Sequence, residues 1–244
     1  MTVSVVLICR NEAGVIAGTI KAAQKVSADI VALDSGSTDG TQELLHSLGV
    51  QVIDHEWLGF GPTKNIALQH ARHDWVLQID ADERIDDALA DYINTTVPEN
   101  DSMVYNMRFR NYLGDKPLLH GEWGTDKHIR LFNRKTVHWN NAEVHEELVL
   151  PPDVRFIEPP GFIHHVTAAS RSELRKKMEY YAALGAEKYK TQGKKFSRLK
   201  MIFSPVFSFM VNYIFKLGFL DGKAGWIVAR ESARYTRLKY AGVK

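Results

Sequence analysis

The chain has 244 residues, of which 45% are hydrophobic and 25% charged, a globular composition that excludes a wholly disordered or fibrous protein. Its single cysteine, Cys9, excludes an internal disulfide and is compatible with a reducing compartment. The net charge of +2 conceals an asymmetry: residues 1–170 carry 14 Lys/Arg against 24 Asp/Glu, and residues 171–244 carry 17 against 5. We therefore expect an acidic globular domain at 1–169 and a basic C-terminal region at 170–244 that suits an anionic partner.

Strands and helices alternate over the first hundred residues. The predicted strands cover 3–9, 29–33, 50–53 and 75–79, and the predicted helices cover 14–26, 41–48 and 62–71. Further strands are predicted at 103–112 and 128–132, and a helix is predicted from the capping box at Ser170 to about Gly193. Repeated βα units predict an α/β fold with a mostly parallel sheet and helices on its faces. Ligands of such folds bind beyond the carboxyl ends of the strands.

An acidic motif, Asp80-Ala-Asp82-Glu83, follows the fourth predicted strand directly. Residues two apart in an extended segment project to the same side, so Asp80 and Asp82 can face one ligand. Carboxylate oxygens suit Mg²⁺ or Mn²⁺, which can neutralise a diphosphate. The alternative is a solvated acidic turn that leads into a helix at Asp86.

A second polar motif, Asp34-Ser-Gly-Ser-Thr-Asp-Gly-Thr41, follows the second predicted strand. Asp34 can accept hydrogen bonds from a ribose or a uracil, and Gly36 permits close backbone approach. The alternative is turn chemistry, with Thr38 or Asp39 as a helix N-cap. The motif is neither a P-loop nor a dinucleotide-binding fingerprint.

In order and spacing, four segments resemble family 2 glycosyltransferases of the GT-A fold: residues 3–12, Asp34–Thr41, Lys64-Asn65 and residues 78–83. The later chain resembles the branch of lipopolysaccharide-core β-1,4-glucosyltransferases, at Val144-His145-Glu146, at His165 and at residues 217–222. The resemblance implies a nucleotide-sugar site formed by six residues: Arg10, Asn11, Glu12, Asp34, Lys64 and Asp80. It also implies that Asp82 ligates a divalent metal, Mn²⁺ or Mg²⁺, and that His165 completes the metal–diphosphate site. The neighbouring His164 is an alternative for that role, and a partly buried structural histidine is another reading of His165.

An inverting transfer needs a general base that takes a proton from the attacking acceptor hydroxyl. The resemblance favours Glu146 as this catalytic base, with His145 orienting it. Glu143 and Glu147 remain open as alternatives, because the family's more familiar Glu-Asp motif is not present here.

The basic region contains the most apolar stretch of the chain, residues 202–220, with lysines and arginines on both sides. A wide apolar face flanked by cations is typical of a helix that lies in an anionic membrane interface. A helix buried in a homodimer or against the catalytic domain is the alternative. Nucleic-acid binding is disfavoured, since no recognised motif accompanies the charge.

Together these features predict an inverting, metal-dependent transferase that moves glucose from UDP-glucose onto a lipid-linked saccharide such as a lipopolysaccharide core. Because the apolar run at 3–9 ends in charged residues and does not read as a signal peptide, we expect a cytoplasmic protein, peripheral on the inner face of the cell membrane. The alternatives are another donor, a protein or polyprenyl-phosphate acceptor, or a catalytically silent module that binds sugar nucleotides.

Overall fold

The computed structural model describes residues 1–142 and 146–243. The strands are β1 Ser4–Cys9, β2 Ile30–Asp34, β3 Gln51–Asp54, β4 Trp75–Gln78, β5 Glu83–Ile85, β6 Met103–Leu113, β7 Lys116–Pro117, β8 Lys127–Asn133, β9 His138–Trp139, β10 Leu148–Val149, β11 Arg155–Ile157 and β12 Ile163–Ala168. The α-helices are α1 Ile16–Ala23, α2 Thr41–Ser47, α3 Phe60–Gln69, α4 Asp87–Thr95, α5 Arg171–Thr191, α6 Arg198–Met210 and α7 Gly222–Ala241. These elements confirm the α/β fold that the alternating pattern predicts.

The main sheet has the strand order β3-β2-β1-β4-β8-β6-β12-β5, and β7 and β11 also pair with β6. Strands β3, β2, β1 and β4 are parallel, so their carboxyl ends share one edge of the sheet. Strand β8 runs antiparallel to β4, with Leu131 opposite Leu77. The first residues of β8 therefore lie beside the carboxyl end of β4, at the edge where ligands of α/β folds bind.

Two helix starts show how the local sequence sets the elements. Asp86 is the N-cap of α4: its side chain accepts a hydrogen bond from the backbone N–H of Leu89 at 2.8 Å. The helix therefore begins directly after Asp86, where the sequence predicts its start. At α2 the predicted cap is wrong: Gly40, not Thr38 or Asp39, is the N-cap, with φ of +91°. The Asp39 carboxylate instead accepts from the N–H of Thr41, which closes a turn ahead of the helix.

The chain forms two compact units, one of residues 1–108 and 127–164 and the other of residues 109–126 and 165–244. In the first unit, apolar side chains of β1, β2, β4, β6, β8 and α3 form one buried cluster. In the second, a smaller cluster contains Leu113, Ala168, Leu174 and Val228. The division of the sequence into domains at residue 169 remains a prediction.

The apolar stretch 202–220 is not one continuous helix. Helix α6 ends at Met210 and passes into a π-helical turn, Val211–Phe215, and then a 3₁₀ turn, Gly218–Asp221. Leu217 between them has φ of +58°, a left-handed conformation that costs a branched residue free energy. The surroundings fix this bend, since the side chain of Asn212 accepts from the N–H of Glu122 at 2.9 Å.

Helix α6 has no buried residue, and its outward face is strongly apolar. The exposed side chains are Leu199, Ile202, Phe203, Val206 and Phe207, each 56–69% exposed. Among the described residues, no single helix is long and apolar enough to cross a membrane. The segments 198–215 and 218–241 reach that length and apolarity only as a pair, and they are bent by 74° at their junction.

Candidate active site

Two loops at the carboxyl ends of β1 and β2 are joined by hydrogen bonds. The backbone N–H of Asn11 donates to Ser37 Oγ at 2.8 Å, and the Asn11 side chain accepts from the N–H of Thr38 at 2.9 Å. Asn11 has φ of +58°, which asparagine tolerates better than most residues. Glu12 follows, and its N–H donates to Thr41 Oγ1 at 2.9 Å. The structure thus brings the exposed Arg10 and its two neighbours to the loop that begins at Asp34.

Asp34 is fully buried at the end of β2. Its carboxylate accepts hydrogen bonds from the Gln42 side chain at 2.6 Å and from the backbone N–H groups of Gly36 and Ser37 at 3.1 and 2.8 Å. Burial alone would raise its pKa, but the hydrogen bonds from Gln42 and Ser37 outweigh burial and hold the pKa below its usual value. The site therefore holds an ionised carboxylate at the position predicted to contact the uridine.

Lys64 and Glu146 form a largely buried ion pair. The Lys64 Nζ donates to Glu146 Oε1 at 2.7 Å and lies 4.3 Å from the ring centroid of Trp139. Helix α3, which carries Lys64, is held close to Ala142, because the N–H of Gly61 donates to Ala142 O at 3.2 Å. The structure thus brings a predicted donor-site lysine to the predicted base.

Trp139 is fixed from two sides beneath this ion pair. Its indole N–H donates to Gln78 Oε1 at 2.6 Å. Its backbone N–H and C=O pair with the side-chain amide of Asn65 at 2.9 and 2.8 Å. The neighbouring residues Lys64 and Asn65 therefore differ in role. Lys64 supplies the positive charge of the ion pair, and Asn65 positions the Trp139 ring that packs against it.

Asp80 does not stand alone at the end of β4. Arg130 on β8 donates to Asp80 Oδ2 at 3.0 Å and makes two bonds to Glu83, at 2.8 and 2.5 Å. Burial raises the pKa of the Glu83 carboxyl, and the Arg130 guanidinium opposes that rise. Asp82, two residues on from Asp80, is partly buried in the same turn.

A groove of about 350 Å³ opens at this edge of the first unit. Its polar lining includes Arg130, Glu146 and Glu147, and its apolar lining includes Trp139 and Phe156. Apolar and aromatic walls with a few convergent polar groups are typical of small-molecule sites. The groove therefore has the lining expected where a substrate meets a base.

His165 belongs to the second unit, where its Nδ1 lies 3.0 Å from Asn111 Oδ1. The Asn111 amide nitrogen donates to Trp123 O and to Asp126, so its oxygen must be the acceptor and His165 Nδ1 the donor. His164 is the last residue of the first unit.

No group of three His, Cys, Asp or Glu side chains within 1–142 and 146–243 has the geometry of a metal site. Mg²⁺ and Mn²⁺ are commonly held by one or two carboxylates together with substrate phosphate oxygens, which Asp82 fits. His145, Glu143 and Val144 lie outside the described residues, so the predictions on them stay predictions.

Three residues of this region were missed by the sequence reasoning: Arg130, Trp139 and Asn111. Arg130 had a local signal, since a charged residue inside the predicted apolar strand 128–132 must be paired if it is buried. Trp139 and Asn111 had none, because their partners lie more than ten residues away in sequence.

Polar loops and a groove at the carboxyl ends of parallel strands mark the usual ligand site of α/β folds. A family model described as "Glycosyl transferase family 2" matches residues 4–145. The chain belongs to this family and has its GT-A fold, which confirms the resemblance drawn from the sequence motifs.

The relatives fit this assignment. A glycosyltransferase of Rickettsia prowazekii is 29% identical, over 97% of this chain and 85% of its own length. LpsC of Rhizobium meliloti, a lipopolysaccharide core biosynthesis glycosyltransferase, is 27% identical over 100% of this chain and 92% of its own. Among solved structures, residues 1–349 of S. aureus TarS in complex with UDP match with a TM-score of 0.48 and 14% identity, over 100% of this chain and 89% of that one. The chain spans 39% of a longer TarS chain of known structure.

Proposed function

We propose that this glycosyltransferase moves glucose from UDP-glucose to a lipid-linked saccharide, such as a lipopolysaccharide core, with inversion at the anomeric carbon. The observation that carries the proposal is the position of Glu146. Its carboxylate lines the groove and pairs with Lys64, the lysine predicted to lie near the donor. A base for an acceptor hydroxyl must be ionised and must face the acceptor.

The ion pair between Lys64 and Glu146 also bears on donor binding. A donor diphosphate would compete with the Glu146 carboxylate for the same ammonium group. We therefore expect donor binding to draw Lys64 toward the phosphates and to release the Glu146 carboxylate for the acceptor hydroxyl. This order of events would couple activation of the acceptor to the presence of the donor.

The donor side of the proposal rests on Asp34, Asp80 and Asp82. The contact of Asp34 with the uridine stays a prediction from the family resemblance, since its carboxylate is fully buried and already accepts from Gln42, Gly36 and Ser37. Asp80 would approach the ribose. Asp82 would hold Mn²⁺ or Mg²⁺, and the metal would neutralise the diphosphate leaving group. The role of His165 at the metal stays a prediction from the family resemblance.

The acceptor side rests on the similarity to LpsC and on the exposed apolar face of α6. We propose that the second unit lies on the cytoplasmic face of the membrane, where a lipid-linked saccharide would be within reach. Lysines and arginines at both ends of the apolar face support an anionic lipid surface.

The decisive experiment is a panel of nucleotide-sugars, tested with lipid extracts as acceptors and read by mass spectrometry of the product. We expect UDP-glucose to add one hexose to a lipid-linked saccharide in the presence of Mn²⁺ or Mg²⁺. Transfer from another donor alone, or to protein or polyprenyl phosphate alone, would contradict the donor or acceptor assigned here.

The same assay tests the metal. Asp82→Asn removes an anionic ligand, and we expect its rate to fall by at least about 10²-fold, the scale for losing one strong electrostatic contact in a transition state. Asp87→Asn, an exposed aspartate on α4, is the control and should keep its rate. Full activity in EDTA would contradict metal dependence.

A further inference from the structure

Arg130 connects two acidic residues that lie at different depths. Glu83 is 2% exposed and accepts two bonds from the guanidinium, whereas Asp80 is partly exposed and accepts one. Arg130 itself is 9% exposed and also lines the groove. The Arg130 side chain thus connects the buried Glu83 to Asp80, at the edge of the sheet where the donor is expected to bind.

This arrangement is a costly way to gain stability. A buried carboxylate must be desolvated, and well-packed apolar residues in place of a buried ion pair are often neutral or stabilising. The buried pair of Arg130 and Glu83 is better explained by a role in orienting residues of the donor site than by a gain in stability. The fork of an arginine fixes a carboxylate in direction as well as distance, which a lysine does not.

The turn that follows β4 is tied down by the same residues. The N–H of Asp80 donates to Glu83 Oε2 at 3.1 Å, and the N–H of Glu83 donates to Asp80 O at 3.0 Å. Between them, Ala81 O accepts from Thr19 Oγ1 on α1 at 2.7 Å. Asp82 is therefore carried on a turn whose two ends are held by Glu83 and, through it, by Arg130.

We propose that Arg130 is a positioning residue for the donor: Glu83 holds the guanidinium, and the guanidinium sets the Asp80 carboxylate and the turn that carries Asp82. In this arrangement the Asp80 carboxylate is bridged to a buried cation by a bond of 3.0 Å. The inference rests on the proposed donor site and deepens it.

The test must separate positioning from folding. Arg130→Met alone would leave the Glu83 carboxylate buried without its cation, so the main variant is the double change Glu83→Leu with Arg130→Met. Its melting temperature should fall by only a few degrees, because an apolar pair replaces an ion pair while the N–H of Asp80 loses its acceptor on Glu83. Calorimetry with UDP and Mn²⁺ should show a Kd raised by at least about 10-fold, since preorganised contacts contribute strongly to binding.

Three comparisons sharpen the result. The KM for the donor should rise more than kcat falls, because the base Glu146 is untouched. Arg130→Lys should recover only part of the UDP affinity. In an Asp80→Asn background, the double change should raise the Kd by a smaller factor than it does in the wild type, since Arg130 acts in part through Asp80.

Arg134→Met is the matched control. Arg134 follows β8 directly and bonds to backbone carbonyls of His73 and Leu68, away from the turn at 80–83. Its UDP affinity should equal that of the wild type. A folded Glu83→Leu/Arg130→Met variant with wild-type Kd and KM would overturn the positioning role of Arg130. So would an effect on the Kd that simply adds to that of Asp80→Asn. Neither result would contradict the proposed function. A wild-type protein that binds no UDP would contradict the proposed function as well.

Discussion

Glu146 meets two requirements at the scale of single residues: it faces the groove, and it stays paired with Lys64. Glu146→Gln keeps the shape of the side chain and removes its basicity. We expect turnover to fall by roughly 10²–10⁴-fold, because general-base catalysis contributes on this scale. UDP affinity should not fall, because the change removes the carboxylate that competes with the diphosphate for Lys64. Single-turnover kinetics with saturating donor measures the loss.

The neighbouring acids provide the comparison. Glu147→Gln changes a second carboxylate of the same groove, and Glu143→Gln changes the third candidate. If either variant loses turnover in this way while Glu146→Gln keeps it, the base is the neighbour and Glu146 only partners Lys64.

Asp34 has a pKa below its ordinary value of 3.8, so its contribution to stability depends on pH in a defined direction. A lowered folded-state pKa stabilises the protein above the unfolded-state pKa, and this stabilisation is lost as pH falls through the folded-state pKa. Asp34→Asn should therefore reduce the free energy of unfolding at pH 7 by about 1.5–3 kcal/mol, as expected for hydrogen bonds to a charged group. Urea unfolding of both proteins at several pH values should show the difference shrinking below about pH 4. A difference that stays constant down to about pH 3 would assign the loss to packing instead.

At the scale of elements, strand β11 offers an aromatic side chain to the groove. Phe156 is 55% exposed, although β11 pairs along its length with β6. An exposed ring beside the base can stack on the apolar face of an acceptor sugar. Phe156→Leu, which keeps apolarity without the ring, should raise the acceptor KM about 2–13-fold, the range of an aromatic contact of roughly 0.5–1.5 kcal/mol.

The comparison variants for this strand are Phe156→Trp and Val97→Ala. The first keeps an aromatic face and should preserve the acceptor KM, and the second removes an exposed apolar side chain outside the groove lining. Donor hydrolysis in water should be the same in all of these proteins. If the acceptor KM of Phe156→Leu equals that of the wild type, the acceptor does not stack on this ring.

The elements that were predictable from sequence are those whose signals are local. Strands β1, β2 and β4 are unbroken apolar runs, and Asp34 and the 80–83 motif follow β2 and β4 directly. The break after α6 was not predictable, because residues 202–220 fit one apolar helix with a narrow polar stripe. The bend is fixed by the contact of Asn212 with Glu122, ninety residues away. The bond from Arg130 to Asp80 was not predictable either, because it joins residues far apart in sequence and depends on the pairing of β8 with β4.

At the scale of the whole molecule, charge and apolar surface concentrate in the C-terminal region. We expect the full-length protein to bind anionic vesicles, and to be only partly released by salt, because inserted apolar side chains remain after the charges are screened. Charge reversal of Lys194, Lys195 and Arg198 should weaken binding, since each cation near such a surface contributes about 1 kcal/mol. Vesicle co-sedimentation at low and high salt measures both effects.

Point variants are cleaner here than a truncation after residue 192. Helix α7 packs on α5, where the buried Glu231 bonds to Arg171 and Arg175 at 3.2 Å, so removing α7 would uncover α5. Phe203→Asp with Phe207→Asp alters only the exposed face of α6, and Val97→Asp is its control. A full-length protein that ignores anionic vesicles at low salt and forms a dimer, broken by the α6 variant, would assign this face to an interface between copies.

Cys9 gives the molecule an internal reporter of how often its central sheet opens. The thiol lies in β1 beside Asp34, and burial together with the neighbouring carboxylate raises its pKa, so the reactive thiolate is scarce in the folded state. Because the chain has no other cysteine, a thiol-specific reagent can modify the native protein only when β1 opens. A ligand that binds the closed form slows this modification by the factor 1 + [L]/Kd. Labelling rates of unmodified protein could therefore rank nucleotides by affinity, without an acceptor and before any product is identified.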